Sequence, residues 1–302
     1  MGSLLSVSDI KEDVRYILDL ASKIKAGEME EKPLEGKTLA MIFQKSSTRT
    51  RLSFDVGMYQ LGGRAIFLSS NDLQMGRGEP ISDTAKVLSR FVDGIMIRAI
   101  EHDDVIELAK HSDVPVISGL TNLEHPCQAL ADMLTVKEHL GEWEGKKICF
   151  VGDGNNVCNS LLLIAPLLGM DAAVACPKGY EPNESILKTA HEYAEENNTE
   201  ITITDDIGVA LENVDVVYTD VWVSMGDEAE AAQRELDFAP FQVNSDLMSL
   251  ANDGAIFMHC LPAIRGQEVT ADVIDGPQSV IYDEAENRMH AQKAVLYYYM
   301  ND

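Results

Sequence analysis

TLAMIFQKSSTRTRLSF, residues 38–54, is the stretch that decides the fold. Its first six residues are an apolar run of strand length, suited to burial on both faces of a sheet. Ser46-Ser47-Thr48-Arg49-Thr50-Arg51 follows at once, with hydroxyl residues fit to cap a helix over about 49–61. The same pairing recurs outward. Strands are expected at 64–69, 94–99 and 114–120, with helices near 81–90 and 102–111. A spacing of about 25 residues between strands is the βαβ rhythm of a parallel sheet.

Upstream, a helix is expected over 9–24 and a loop over 26–36. Downstream, a long helix at 126–140 starts with Pro126, and GEWEGKK breaks the pattern. A second run then predicts strands at 146–153, 171–177, 201–206, 214–220, 255–262 and 279–284. Helices fit at 156–168, 184–197, 208–213 and 287–300. The expected fold class is α/β: two parallel-sheet domains with an active-site cleft between them, joined by the 126–140 helix and the C-terminal helix. Their expected bounds are 1–140 plus 285–302, and 141–284.

The chain has 302 residues, 45% of them hydrophobic, enough for two buried cores. No apolar run reaches the ~18 residues of a membrane helix, and the opening residues do not read as a signal peptide. With 24 Lys+Arg against 50 Asp+Glu, the net charge of −26 makes nucleic acid an improbable partner. The odd count of 5 Cys, none in C-x-x-C, suits reduced thiols in a cytoplasmic protein rather than disulfides or a zinc ribbon. The charge is uneven. Residues 45–98 hold 8 basic and 5 acidic residues, and six of the chain's ten Arg. A basic island in an acidic chain suits a bound anion, chance clustering being the alternative.

Several groups suit chemistry at strand ends and helix starts, where open α/β sheets bind ligands. The 46–51 stretch offers hydroxyls, a forked Arg and a helix N-terminus for phosphate, or merely a capped helix with a solvated Arg. His125-Pro126-Cys127-Gln128 opens a helix; His125 suits an oxyanion and Gln128 an amide, though a structural His is common there. Arg98 ends a strand. Gly152-Asp153-Gly154-Asn155-Asn156 fails the dinucleotide fingerprint: Val157 stands at the third Gly position, and Cys176-Pro177 replaces the acid. Asp220, closing another strand, suits a cationic amine or a turn cap. In His259-Cys260-Leu261-Pro262 the thiol suits a nucleophile or metal ligand, but no further Cys or His at ligand spacing supports zinc. Glu284-Ala285-Glu286-Asn287-Arg288 reads as the start of the last helix, with Arg288 facing the cleft.

FQKSSTRTRLSFDVG, EHPCQALAD, FVGDGNN, DVWVSMG, MHCLPA and DEAENR, in that order, resemble the aspartate/ornithine carbamoyltransferase family, and DVWVSMG with MHCLPA its ornithine branch. The resemblance covers nearly the whole chain. It implies transfer of a carbamoyl group from carbamoyl phosphate to the δ-amine of L-ornithine, giving L-citrulline and phosphate, with no cofactor or metal. By matching position, Ser47, Thr48, Arg49 and Thr50 would hold the phosphate. Arg98, His125, Pro126, Cys127, Gln128 and Arg288 would contact carbamoyl phosphate, as would Cys260 and Leu261. Gln74 would reach a neighbouring subunit's site. Asn156, Asp220, Ser224 and Met225 would bind ornithine. The catalytic set would be Arg49, Arg98, His125, Gln128 and Cys260, Cys260 serving as a positioning group or local base. The resemblance also implies a homotrimer or a multiple of trimers, and a polar lid at 221–240 that orders over ornithine. Open alternatives are a sibling enzyme for putrescine or N-acetylornithine, a silent binding protein, or a dehydrogenase.

The acidic excess lies outside this chemistry, residues 141–302 carrying 8 basic and 29 acidic residues. A halophilic cytosol is the expected setting, where salt screens self-repulsion within about 3 Å at 1 M. The melting temperature should rise between low and molar KCl; an unchanged value would count against this reading.

Overall fold

A computed structural model describes residues 2–29, 32–69, 73, 78–223 and 228–301. The chain divides into two compact units, Met1–Leu134 with Glu286–Asp302, and Thr135–Ala285. The division falls inside the long helix rather than at the Gly141 break expected from the sequence, because that helix runs unbroken from one unit into the other.

The first unit holds a parallel sheet of β1 (Thr38–Phe43), β2 (Arg64–Ser69), β3 (Gly94–Arg98) and β4 (Val116–Leu120). The order is β2-β1-β3-β4. β1 and β3 are almost wholly buried, as their continuous aliphatic runs require, whereas β2 on the edge is partly exposed. The connections are α2 (Thr48–Gln60), α3 (Ile81–Leu88) and α4 (His102–His111), preceded by α1 (Val14–Lys25). The expected 9–24 helix is divided. Residues Val7–Ile10 form a separate 3-10 turn, because Asp9 takes the N–H groups of Leu5 and Ser6 in a capping box with Ser6.

The second unit has the order β7-β6-β5-β8-β9, again all parallel. Its strands are β5 (Lys147–Val151), β6 (Asp171–Ala175), β7 (Ile201–Thr204), β8 (Val216–Thr219) and β9 (Ile256–Met258). α5 (Pro126–Leu140) leads into it. Next come α6 (Asn156–Leu167), α7 (Glu184–Asn197), α8 (Ile207–Leu211), α9 (Ala231–Phe238), α10 (Ser245–Met248) and α11 (Ala271–Ile274). The expected strand at 279–284 does not form. Residues 278–280 make two backbone bonds to Phe257, and then α12 (Ile281–Met300) begins, six residues before the expected start. Arg288 consequently lies inside a helix, not at its first turn.

Both sheets reverse their winding once, between β1 and β3 and between β5 and β8. Phe43 lies opposite Arg98 in the first pair, and Val151 opposite Thr219 in the second. The loops after these strands therefore emerge side by side, which is the switch-point geometry that binds ligands in open α/β sheets.

Candidate functional site

The first half-site grows from the switch point of the first sheet. Ser47 caps α2, its Oγ accepting from the Thr50 N–H at 3.2 Å. A helix leaves its first N–H groups without intrahelical acceptors, at the positive end of its dipole. No acidic residue offsets that charge in the first turn. Thr50 is fully buried, and its Oγ1 gathers Arg98 Nη1 at 3.4 Å, Arg288 Nη2 at 3.2 Å and Ser47 Oγ at 3.1 Å. Arg288 Nη1 also donates to Gln128 Oε1, and Gln128 Nε2 donates to Asp132 Oδ1 at 2.7 Å. Two guanidiniums far apart in the sequence are thus fixed over one helix start. Arg51, in contrast, lies over the Phe67 ring at 3.9 Å.

His125 precedes α5, and its carbonyl accepts from the N–H groups of Gln128 and Ala129. Burial, and then the charges of Arg288, Arg98 and Arg49, hold its imidazole well below the usual histidine range. It is therefore neutral at pH 7 and can donate one N–H to a carbonyl oxygen without adding a charge. Pro126 takes the first helical position of α5, where a missing N–H costs nothing. Cys127 is fully buried, donates to the Ser118 carbonyl at 3.4 Å, and is pushed up to about 12 by burial. Its thiol stays protonated, so its place is structural.

The second half-site occupies the switch point of the second sheet. Asn155 caps α6 through the N–H groups of Val157 and Cys158, and its Nδ2 donates to Asp220 Oδ2 at 2.9 Å. Asn156, half-buried, is the first residue of α6. Asp220 Oδ1 accepts from the Val221 N–H at 2.8 Å and from Cys260 Sγ at 3.2 Å. Leu261 has a left-handed φ of +60, which costs about 1–3 kcal/mol in a non-glycine residue. Its N–H donates to His259 Nδ1 at 2.9 Å, so the proton of that ring sits on Nε2, facing Glu268 Oε1 at 3.2 Å. Glu284 holds the His259 N–H and the Tyr218 hydroxyl. Donor atoms of Asp220, His259 and Cys260 lie within 4.8 Å of one another, close enough for a metal. The contacts just given already occupy each of them. Gln74, Ser224 and Met225 lie outside the described residues.

Part of the expected lid is anchored rather than loose. Arg234 on α9 is buried, and its Nη1 donates to Asp153 Oδ2 at 2.8 Å and to the Trp222 carbonyl at 3.0 Å. Phe238 is fully buried against Trp222 and Tyr180. The charged DEAEAAQRE composition gave no sign of these two anchors.

Comparison with known proteins bears on both halves. Residues 3–138 match the model of the aspartate/ornithine carbamoyltransferase carbamoyl-P binding domain, and residues 144–299 that of the Asp/Orn binding domain. The chain belongs to the aspartate/ornithine carbamoyltransferase family. It is 79% identical to an ornithine carbamoyltransferase of Methanobrevibacter smithii over 99% of this chain and 100% of that one. An ornithine carbamoyltransferase of Methanothermobacter thermautotrophicus is 61% identical over 100% of both chains. Among solved structures, that of the Pyrococcus furiosus ornithine carbamoyltransferase superposes with a TM-score of 0.95 at 53% identity, covering 99% of this chain and 96% of that one.

Within this carbamoyltransferase chain, sequence reasoning missed Asp132, Asn155, Glu124 and Arg234. Asp132 was findable, since it stands one helical turn after Gln128. Asn155 was findable as the cap of α6; the partners of Glu124 and Arg234 are too remote in sequence.

Two outcomes follow for this family member. A Cβ on Gly154 would stand 2.3 Å from Pro182 N and 2.5 Å from Glu181 C, both backbone atoms. Gly154→Ala should lower stability by about 1–3 kcal/mol and shift Asn155, measured by thermal melting and by the Michaelis constant for the amine substrate. Because the folded-state pKa of His125 is depressed, the unfolded chain takes up the proton first as pH falls. Stability relative to His125→Asn should be constant above about pH 6.5 and fall below it by about 1.4 kcal/mol per pH unit, seen in melts from pH 8 to 5.

Proposed function

We propose that the protein transfers the carbamoyl group of carbamoyl phosphate to the δ-amine of L-ornithine, yielding L-citrulline and phosphate. The observation that carries this reading is the convergence of Arg98, Arg288 and the α2 N-terminus on Thr50, beside a neutral His125. That is a site for a phosphate dianion joined to a carbonyl. The printed names of the relatives support ornithine as acceptor.

In this reading Ser47, Thr48, Arg49 and Thr50 hold the phosphate, and Arg288 completes its neutralisation. Arg98, His125 and Gln128 polarise the carbamoyl carbonyl. Pro126 and Cys127 shape the backbone of that site. The neutral δ-amine attacks the carbonyl carbon; the C–N bond forms, the bond to the phosphate oxygen breaks with its electron pair leaving on phosphate, and the proton given up by the amine ends on that departing phosphate. Charge grows on the carbonyl oxygen, where His125 donates and the guanidiniums attract. Asp220, with Asn156, Ser224 and Met225, takes the α-amine and α-carboxylate of ornithine. Cys260 steadies Asp220 through its S–H, and Leu261 lies beside it at the reacting centre. Holding both substrates in attack geometry supplies several kcal/mol of the barrier reduction. No cofactor enters the reaction.

Finer features belong to the same proposal. The setting is the cytoplasm; among the described residues no helix is long and apolar enough to cross a membrane. The reaction serves arginine metabolism, as synthesis or in the direction that regenerates carbamoyl phosphate. The halophilic setting rests on charge alone. The oligomer is a homotrimer or a multiple of it, with Gln74 reaching a neighbouring subunit. Leu52, Val56 and Tyr59 support this: they form an exposed apolar stripe along α2.

The test is a two-substrate assay with a panel of amines. Citrulline should form from ornithine, and putrescine or N-acetylornithine should be poor; no citrulline at any salt concentration would end the proposal. Arg49→Ala should lower turnover by several orders of magnitude with the fold intact, and near-normal turnover would refute the phosphate assignment. Asp220→Asn should raise the Michaelis constant for ornithine and leave carbamoyl phosphate binding nearly unchanged.

A further inference from the structure

A segment remote from the half-sites in sequence is tied directly to the loop that carries His125. Residues 3–9 run along the outer edge of β4. Leu4 N–H donates to the Val116 carbonyl at 2.9 Å, Ser118 N–H donates to the Leu4 carbonyl at 2.7 Å, and Val116 N–H donates to Ser3 Oγ at 3.0 Å. This strap covers the free edge of the sheet. It then turns at Val7–Ile10, where Leu4, Val7 and Ile10 are all fully buried.

At the turn the strap meets Glu124, the residue immediately before His125. Glu124 is 2% exposed. Its Oε2 accepts from the Val7 N–H at 2.9 Å, across 117 residues of sequence. The Ser6 hydroxyl donates to the same carboxyl. The loop is closed on its other side by Thr121, whose N–H donates to the Glu124 carbonyl at 2.9 Å. Thr121 Oγ1 accepts from the N–H groups of Leu123 and Glu124, and meets His102 Nδ1 at 3.1 Å. The loop before His125 is thus pinned at Thr121, Leu123 and Glu124, and the tie that reaches the strap is the carboxyl of Glu124. Burying that group is costly: burial pushes its carboxyl up to about 7. A Leu would fill the position without that cost but could not accept from the Val7 N–H.

Building on the carbamoyl-transfer reading above, we propose that Glu124 is a positioning residue for His125, clasping the 3–9 strap over the β4–α5 loop so that the imidazole is held where the carbonyl oxygen develops charge. A misplacement of about 1 Å in such a group costs on the order of a hundredfold in rate. The effect falls on turnover, since His125 acts on the carbonyl and not on the amine substrate.

The clasp can be opened from either end. Glu124→Ala removes the acceptor. Val7→Pro removes the donor at the first position of its turn, where proline fits, and Ser6 before it is extended at φ −135 and ψ 159. Each variant should lower kcat about ten- to a hundredfold, with the Michaelis constant for ornithine changed less than about twofold. The double variant should be no worse than the poorer single one, because both break one bond. Glu124→Gln keeps an acceptor oxygen and should restore wild-type kcat. Hydrogen exchange of amides 121–128 gives a readout independent of turnover: faster in Glu124→Ala and Val7→Pro, unchanged in Glu124→Gln. Wild-type kcat in a folded Glu124→Ala protein would overturn the proposal, as would a Glu124→Gln protein as slow as Glu124→Ala. If the wild-type protein forms no citrulline, the functional reading fails instead. Unchanged exchange across the series would then overturn the clasp as well.

Discussion

Two guanidinium groups, Arg98 and Arg288, meet on the hydroxyl of Thr50, and the first half-site depends on that meeting. Like charges brought together in a buried place repel, and burial removes the water that would screen them. The fold offsets this with the neutral acceptors Thr50 and Gln128, the latter backed by Asp132. A phosphate placed there would neutralise what those neutral groups only solvate. Burial first, and then the same field of three cations, makes a second proton on His125 unfavourable, so the ring stays a neutral donor.

The second half-site follows a different rule. Its centre is a carboxylate, Asp220, held by an amide, a thiol and a backbone N–H, all of which donate and leave it acceptor-only. Beneath it, His259, Glu268 and Glu284 form a buried polar scaffold that fixes Leu261 in its left-handed conformation. Cation-gathering in one unit and anion-holding in the other are complementary to an anionic phosphate donor and a cationic amine.

Much of this was legible in the sequence, for identifiable reasons. Buried parallel strands are continuous aliphatic runs, so TLAMIF, GIMIR and KICFV stand out. Caps such as Ser47 mark helix starts, and strand ends mark Arg98 and Asp220. The failures are equally physical. SVIYDE holds a short β-branched and aromatic run like a strand, yet only residues 278–280 pair with Phe257 before the helix begins. The opening helix starts later than its apolar spacing suggests because Asp9 accepts from the N–H groups of Leu5 and Ser6 and so closes a short turn. Glu124 and Arg234 act through partners that no local pattern reveals, on the strap at Val7 and on the loop at Asp153.

The placement of Arg288 has a consequence for how the molecule is made. A ribosome releases the first unit's sheet, the Ser47 cap, Arg98 and His125 long before it releases α12. Until that last helix docks, Thr50 and Gln128 have no second guanidinium, and the anion site exists only in part. The first unit's anion site therefore takes its full charge only after the whole of the second unit has been synthesised.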